Sequence, residues 1–285
     1  MKIYRIAAFT KDSRGGNPAG VVLAETLPDA GEMQRIASEV GYSETVFSAP
    51  EGGNWRTRYF SPQSEVAFCG HATIALGAVL ASEKGPGTFS LRINSGTIEV
   101  AAGVQEGVAR STLRSPPTKS STPSQAVIDE ALALFGYSPS ELNPDLSPMI
   151  VNAGNDHLLL GLKTREKLRL MHYDLEAGRD FMRRHGFVTV MLVWRECERF
   201  LHARNAFASG GVLEDPATGA AAAALAGMLR DQELLADGEL TIIQGEDMGF
   251  PSCIEVRFEK PSGSPVLVSG TTRIIQEPEA RRFKP

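Results

Sequence analysis

Two stretches of this chain repeat one another. Residues 210–229 read GGVLEDPATGAAAAALAGML and residues 68–80 read FCGHATIALGAVL. Each is a short Gly-containing turn running into alanines and other small apolar residues, a strong helix-forming composition. After each comes a strand, a Gly turn and another strand, at 89–100 and 240–258. Before each comes an Asn that follows a glycine, an apolar run, a helix and a strand entered through Gly. These are Asn17, 21–23, 33–40 and 41–47 in the first half, and Asn155, 158–160, 181–184 and 186–193 in the second. Matching landmarks stay about 145 residues apart, far beyond a solenoid period, so the repeat predicts two similar domains. Two matching helix starts also suggest a ligand site between the halves, because exposed first-turn N–H groups attract anions.

Local signals fill in the elements. Residues 2–9 alternate as a strand, 13–18 (SRGGNP) form a turn, and 19–23 resume strand character, which makes an opening hairpin. Residues 29–40 place Met33, Ile36, Ala37 and Val40 on one helical face, and Gly41 ends the helix. The strand at 42–47 (YSETVF) carries Glu44 among β-branched and aromatic residues, on the face of Tyr42 and Val46. Such a carboxylate either faces solvent or is buried with a raised pKa. Asp215 reads as a helix cap, with Pro216 at the first helical position. His71 falls in the first turn of the earlier helix, where the dipole disfavours the imidazolium. Cys69 is either a thiolate at that helix start or a small buried hydrophobe. The Pro-, Ser- and Thr-rich stretch 115–124 reads as the linker, dividing the chain into domains 1–116 and 117–285. Where the first half has Glu44, the second has Thr189 or a neighbour, so the duplication is chemically asymmetric.

Several classes find no support. A net charge of −5 and a pI near 5.7 offer nothing to nucleic acid. No apolar run is long enough to span a bilayer, and the N-terminus turns polar too soon for a signal peptide. Three widely spaced cysteines suit a reducing cytoplasm rather than a disulfide framework or a CxxC zinc site. The histidines show no HxxxH or HExxH pairing, and no GxGxxG, P-loop or GxSxG motif appears. No metal and no cofactor are therefore expected.

In order and spacing, GGNPAGVVL, GYSETVF, FCGHATIALG, EDPATGAAAAAL and QGEDMGFPS resemble the motifs of the PhzF family of phenazine biosynthesis. That family shares its duplicated fold with diaminopimelate epimerase and proline racemase. The resemblance implies an α+β fold of two pseudo-symmetric domains, each a twisted, mostly antiparallel sheet wrapped around a central helix. It also implies that a strand near 265–275 returns to the first domain, that the site lies between the domains, and that the chain forms a homodimer. The family's reaction, isomerisation of trans-2,3-dihydro-3-hydroxyanthranilate, is a cofactor-free proton shift along an allylic skeleton. By the same resemblance Glu44 shuttles the proton, while His71 and Asp215 orient the substrate. Asn17, Gly70, Thr218, Gly219 and Ala220 fall on the substrate-binding motifs. In the epimerase branch two cysteines form the acid/base pair; here those positions read as Cys69 and Asp215. Ala220 replaces a serine and Phe250 an arginine of the family pattern, which makes the pocket less polar. The expected activity is a cytoplasmic isomerase acting on a small anionic metabolite. The alternatives are a racemase using Cys69, or a non-catalytic small-molecule-binding protein on the same scaffold.

Overall fold

The computed structural model describes residues 2–276. It divides into two compact units: one runs to Arg114 and resumes at Ser269, and the other is Ser115–Val268.

In the first unit β1 (Lys2–Thr10) and β2 (Asn17–Leu23) form the opening antiparallel hairpin. Helix α1 (Ala30–Val40) follows, capped by the Asp29 carboxylate on Glu32 N and ended by Gly41 in the left-handed conformation. Then come β3 (Glu44–Glu51), β4 (Asn54–Phe60), the two-residue β5 (Glu65–Val66), α2 (Gly70–Lys84), β6 (Gly87–Ile93), β7 (Gly96–Gln105) and β8 (Val108–Arg114). Strand β2 pairs parallel with β3, β3 antiparallel with β4, β4 antiparallel with β5 and parallel with β6, and β6 antiparallel with β7.

The period of two along these strands sorts the core into two layers. Ala19, Val21, Val46 and Tyr59 face α2, whose Ala72, Ala75, Leu76, Val79 and Leu80 are buried among them. Val22, Phe47 and Phe60 face the other way and cover Met33, Ile36, Ala37 and Val40 of α1. A helix of alanine and small apolar residues suits the central position, because every face of α2 meets protein and no wide polar face is needed. Tyr42 departs from expectation. It packs with the α1 cluster while Val46 packs with α2. The strand begins only at Glu44, so alternation does not extend back to residue 42.

The second unit repeats the plan. It contains β9 (Lys119–Ser121), α3 (Gln125–Phe135), β10 (Met149–Asn152), β11 (Asp156–Leu162), α4 (Arg165–Arg169), α5 (Leu175–His185) and β12 (Thr189–Cys197). It continues through β13 (Phe200–Ala206), β14 (Glu214–Asp215), α6 (Gly219–Asp231), β15 (Gly238–Gln244) and β16 (Ser252–Phe258). The pairings from β10 to β16 reproduce those from β1 to β7 in order and sense. Leu158, Leu160, Val190 and Leu192 cover α5 and α3, and α6 packs against β10, β11 and β16. The last strand, β17 (Leu267–Ile274), pairs antiparallel with β1, Ile6 opposite Ile274.

The stretch 115–124 is not a free linker. Ser115 N donates to Val266 O at 2.8 Å, and Thr118 N donates to Gly263 O at 3.1 Å. Strand β9 pairs with β10, Arg230 donates to the Thr118 hydroxyl at 2.8 Å, and Ser124 caps α3. The small hydroxyl residues that make this stretch look like a linker instead tie it to distant parts of the same unit, the Ser115 hydroxyl accepting from Val266 N and the Thr118 hydroxyl from Arg230.

One buried group gives the second unit an acid sensitivity. His157 is 1% exposed, its Nδ1 lies 2.7 Å from the Thr189 hydroxyl, and burial pushes its pKa down to about 4. The unfolded chain takes up this proton below about 6.5, whereas the folded chain refuses it until about pH 4. Stability is therefore whole above pH 6.5 and falls as pH drops, by about 3 kcal/mol in all. Urea unfolding across this range should show that slope, and His157→Leu should flatten it.

Candidate active site

The Glu44 carboxylate is placed by the parallel pairing of β2 with β3, which sets Ala19 beside Glu44 at the strand's first residue. It shares the face of Val46 and so points to the side of α2. Gly70 opens that helix after Cys69, whose backbone is extended and whose thiol makes no cap bond. His71 comes one residue later and is 7% exposed. Its Nε2 lies 3.4 Å from Glu44 Oε2 and 3.4 Å from Ser43 Oγ. Its Nδ1 lies 3.2 Å from the buried Asn17 amide and 3.4 Å from Cys69 Sγ. Burial pushes the Glu44 carboxyl above the usual carboxylate range, and hydrogen bonds with Ser43 and Cys69 oppose the rise. The first unit thus brings Asn17, Glu44, Cys69 and His71 together at a helix start. A Cβ on Gly70 would meet no atom within 4 Å, so that backbone is open to a ligand.

In the second unit Asp215 ends β14, paired with Asn205 of β13. Its backbone carbonyl accepts from Gln244 Nε2 at 2.7 Å, and its carboxylate accepts from the Thr218 hydroxyl. Gln244 Nε2 also donates to the Thr218 hydroxyl at 3.1 Å, and its Oε1 accepts from Thr218 N at 3.3 Å. Gly219 is buried at the start of α6, and Ala220 behind it is half-buried.

Two expectations about this region need correction. Asp215 does not cap α6 and Pro216 is not its first residue, because the helix begins at Gly219 after Thr218. Pairing with β13 holds Asp215 in extended backbone, and its carboxylate accepts from the Thr218 hydroxyl. Counting from the short strands, three residues separate Val66 from Gly70 and three separate Asp215 from Gly219. The counterpart of Cys69 is therefore Thr218, and Asp215 matches Val66. Register also makes Thr189 the counterpart of Glu44, since His157 opposes Thr189 as Ala19 opposes Glu44. Asn155, the match of Asn17, lies exposed in the turn before β11 and joins no cluster.

Sequence spacing missed three features. Gln244 is the residue that ties Asp215 to the helix start, and its only signal is its place in the QGED turn. An Arg–Glu pair occurs twice: Arg58 grips Glu65 through Nε and Nη2 at 2.7 and 2.6 Å, and Arg204 grips Glu214 at the matching position. In each unit the glutamate begins the two-residue strand and the arginine stands two residues before its pairing partner. The third is a set of metal-type ligands. Atoms of Glu44, Cys69 and His71 all lie within 4.8 Å of one another. No HxxxH spacing betrays it, because Glu44 comes from another element.

Two units of one topology, each wrapping a small-residue helix whose start carries polar groups, define an epimerase-like isomerase of α+β class. The chain matches the family model described as phenazine biosynthesis-like protein over residues 6–277. It belongs to that family. It is 29% identical to the uncharacterized isomerase YfhB of Bacillus subtilis, covering 96% of this chain and 98% of that one. It is 30% identical to the trans-2,3-dihydro-3-hydroxyanthranilate isomerase of Pseudomonas aeruginosa, covering 96% and 97%. The fold matches the crystal structure of a PhzF-family protein from Bacillus anthracis with a TM-score of 0.85 at 23% identity, covering 97% and 98%. It also matches a probable proline racemase from Agrobacterium radiobacter with a TM-score of 0.64 at 13% identity, covering 99% and 98%. Among the described residues no helix is long and apolar enough to cross a membrane.

Proposed function

We propose that this chain is a cofactor-independent isomerase that moves a proton between two carbons of a small anionic metabolite, with Glu44 as the shuttle. One observation carries the reading: a half-buried carboxylate, 14% exposed and raised above its usual range, stands 3.4 Å from the His71 imidazole beside an open helix start. The Glu44 carboxylate removes a proton from one carbon, the electron pair spreads along the conjugated skeleton, and the same carboxyl returns the proton to another carbon. No electrons leave the substrate and no second reactant is consumed. A carboxyl with a pKa lifted towards neutrality is suited to both half-steps. The first-turn N–H groups at Gly70 and Gly219 suit an anionic substrate, and His71 and Asp215 orient its polar groups. Asn17, Thr218 and Ala220 complete the proposed contacts. The absence of a hydroxyl at Ala220 and of a cation at Phe250 favours a less polar reactant than the one named for the Pseudomonas relative. The same reading expects a cytoplasmic homodimer, which sedimentation of the purified protein would check.

The test is deuterium wash-in. The protein is incubated in D2O with a panel of small hydroxy- and amino-carboxylates that includes trans-2,3-dihydro-3-hydroxyanthranilate. Deuterium entering a carbon position supports the reading and identifies the substrate class. Binding of a panel member with no exchange would favour a non-catalytic binding protein on this scaffold.

A second reading has its own observation, the Cys69 thiol 3.4 Å from His71 Nδ1, which would serve a racemase base. Cys69→Ala should leave exchange in place. A loss as deep as that of Glu44→Gln would transfer the acid/base role to the thiol.

A further inference from the structure

We propose that Gln244 is a positioning residue for Asp215: its side chain fixes the Thr218 hydroxyl as a donor to that carboxylate and holds the 215–218 turn in place. Gln244 ends β15 and is fully buried. Its Nε2 donates to Asp215 O at 2.7 Å and to the Thr218 hydroxyl at 3.1 Å, and its Oε1 accepts from Thr218 N at 3.3 Å.

Backbone decides which way the amide faces. A backbone N–H can only donate and a carbonyl can only accept, so Oε1 must meet Thr218 N and Nε2 must meet Asp215 O. The Thr218 hydroxyl then receives an N–H from Gln244 and gives its own single proton elsewhere. Asp215 Oδ2 takes it. Gln244 thus sets the direction of the chain, and a donor on the carboxylate favours its ionised form. Close packing keeps the arrangement tight. Gly245 follows at φ +75°, where a Cβ would fall 2.7 Å from Pro216 O and 2.4 Å from Phe250 O.

The first unit lacks this device. Trp55 pairs with Leu91 as Leu201 pairs with Ile242, so two residues on, Ile93 is the counterpart of Gln244. Ile93 lies in the apolar cluster around α2. There the turn before the helix is held from another side: the Thr73 hydroxyl donates to Cys69 O and accepts from Tyr59 OH, each at 2.7 Å. The matching positions in the second unit are Ala222, which has no hydroxyl, and Asn205, whose buried amide makes no hydrogen bond. An isoleucine at 244 would pack without the cost of desolvating an amide, so Gln244 acts through its bonds to the turn. Loss of those bonds lets the hydroxyl rotate and the carboxylate move. A misplacement of about 1 Å in a group that orients substrate costs about a hundredfold in rate. That consequence rests on the proposed function, whereas the positioning of Asp215 does not.

The test reads Asp215 itself. In protein carrying 13C-labelled aspartate, the Asp215 carboxyl signal is assigned by its loss in Asp215→Asn and followed against pH. Gln244→Leu should raise its titration midpoint by about one pH unit, the scale on which a lost donor to the ionised form acts. Thr218→Val should raise it similarly, and adding Gln244→Leu to Thr218→Val should add little, because the hydroxyl carries the effect. A glutamine that only packs would lower the unfolding midpoint and leave the Asp215 titration where it is; that result overturns the proposal. Should Gln244→Leu fail to fold, Thr218→Val, which keeps every backbone group, decides: an unchanged titration overturns it. Deuterium exchange on the same carboxylate panel should fall about a hundredfold in Gln244→Leu and at least as far in Asp215→Asn. A fall in Asp215→Asn alone overturns the positioning role. Undiminished exchange in Asp215→Asn would instead remove Asp215 from the proposed reaction and leave the positioning to stand or fall on the carboxyl titration.

Discussion

Glu44→Gln is expected to lower deuterium exchange and turnover by about a thousandfold or more, near the upper range for loss of a general acid/base. The amide keeps the size and most hydrogen-bonding geometry of the carboxyl but cannot accept a proton from carbon. It should therefore stop chemistry while leaving the fold intact. The unfolding midpoint should hold or rise, because burial pushes the Glu44 carboxyl up and the wild type bears the cost of desolvating it. A pair of measurements checks this: exchange followed by mass spectrometry, and urea unfolding of the same preparation. An active Glu44→Gln protein would remove Glu44 from the mechanism. An inactive but strongly destabilised one would mean that the carboxylate is structural.

Arg204→Met should have the largest effect on stability, about 3–5 kcal/mol, the range for a buried ion pair that loses one partner. The Arg204 and Glu214 side chains are 12% and 6% exposed, so Glu214 would remain buried without a counter-charge. Arg204 Nη1 also donates to the carbonyls of Arg169 and Met171 at 2.9 and 3.1 Å, and both would lose that donor. Burial already pushes the Glu214 carboxyl up, with Arg204 holding it down, so the truncation leaves only the upward influence. The double change Arg204→Met with Glu214→Leu should recover most of the loss, because it removes both charges together. Arg58→Met makes a built-in comparison. Its pair with Glu65 is 21% and 28% exposed, and its loss should cost about 1 kcal/mol. Equal effects at Arg58 and Arg204 in urea unfolding would contradict an explanation based on burial.

The units differ in how far their elements could be read. Helix α1 was legible in its buried face, Met33, Ile36, Ala37 and Val40, and in its end at Gly41, while the structure starts it at Ala30 and makes Asp29 its cap. Those features depend on neighbours within four residues, where helical geometry settles the outcome. The repeated order of strands and helices was legible for the same reason, since it is a repetition of local patterns. Asp215 was misplaced because two signals competed locally. Asp-Pro reads as cap and first turn, but pairing with β13 and the Thr218 hydroxyl claims the residue first. The stretch 115–124 was misread because its composition says nothing about the carbonyls of Gly263 and Val266, which lie about 150 residues along the chain.

The sequence by itself determined the duplication, the two small-residue helices, the in-strand carboxylate and the family. All are carried by residue type at short spacing. Only the tertiary structure decided that Asn17, Glu44, Cys69 and His71 meet, that Gln244 holds Asp215, and that an Arg–Glu pair anchors each short strand. Those contacts depend on strand register. Parallel pairing of β2 with β3 sets Ala19 beside Glu44, so that Glu44 and Asn17 both reach the His71 ring from separate strands. A slip of one residue would turn Glu44 to the α1 face and dissolve the cluster.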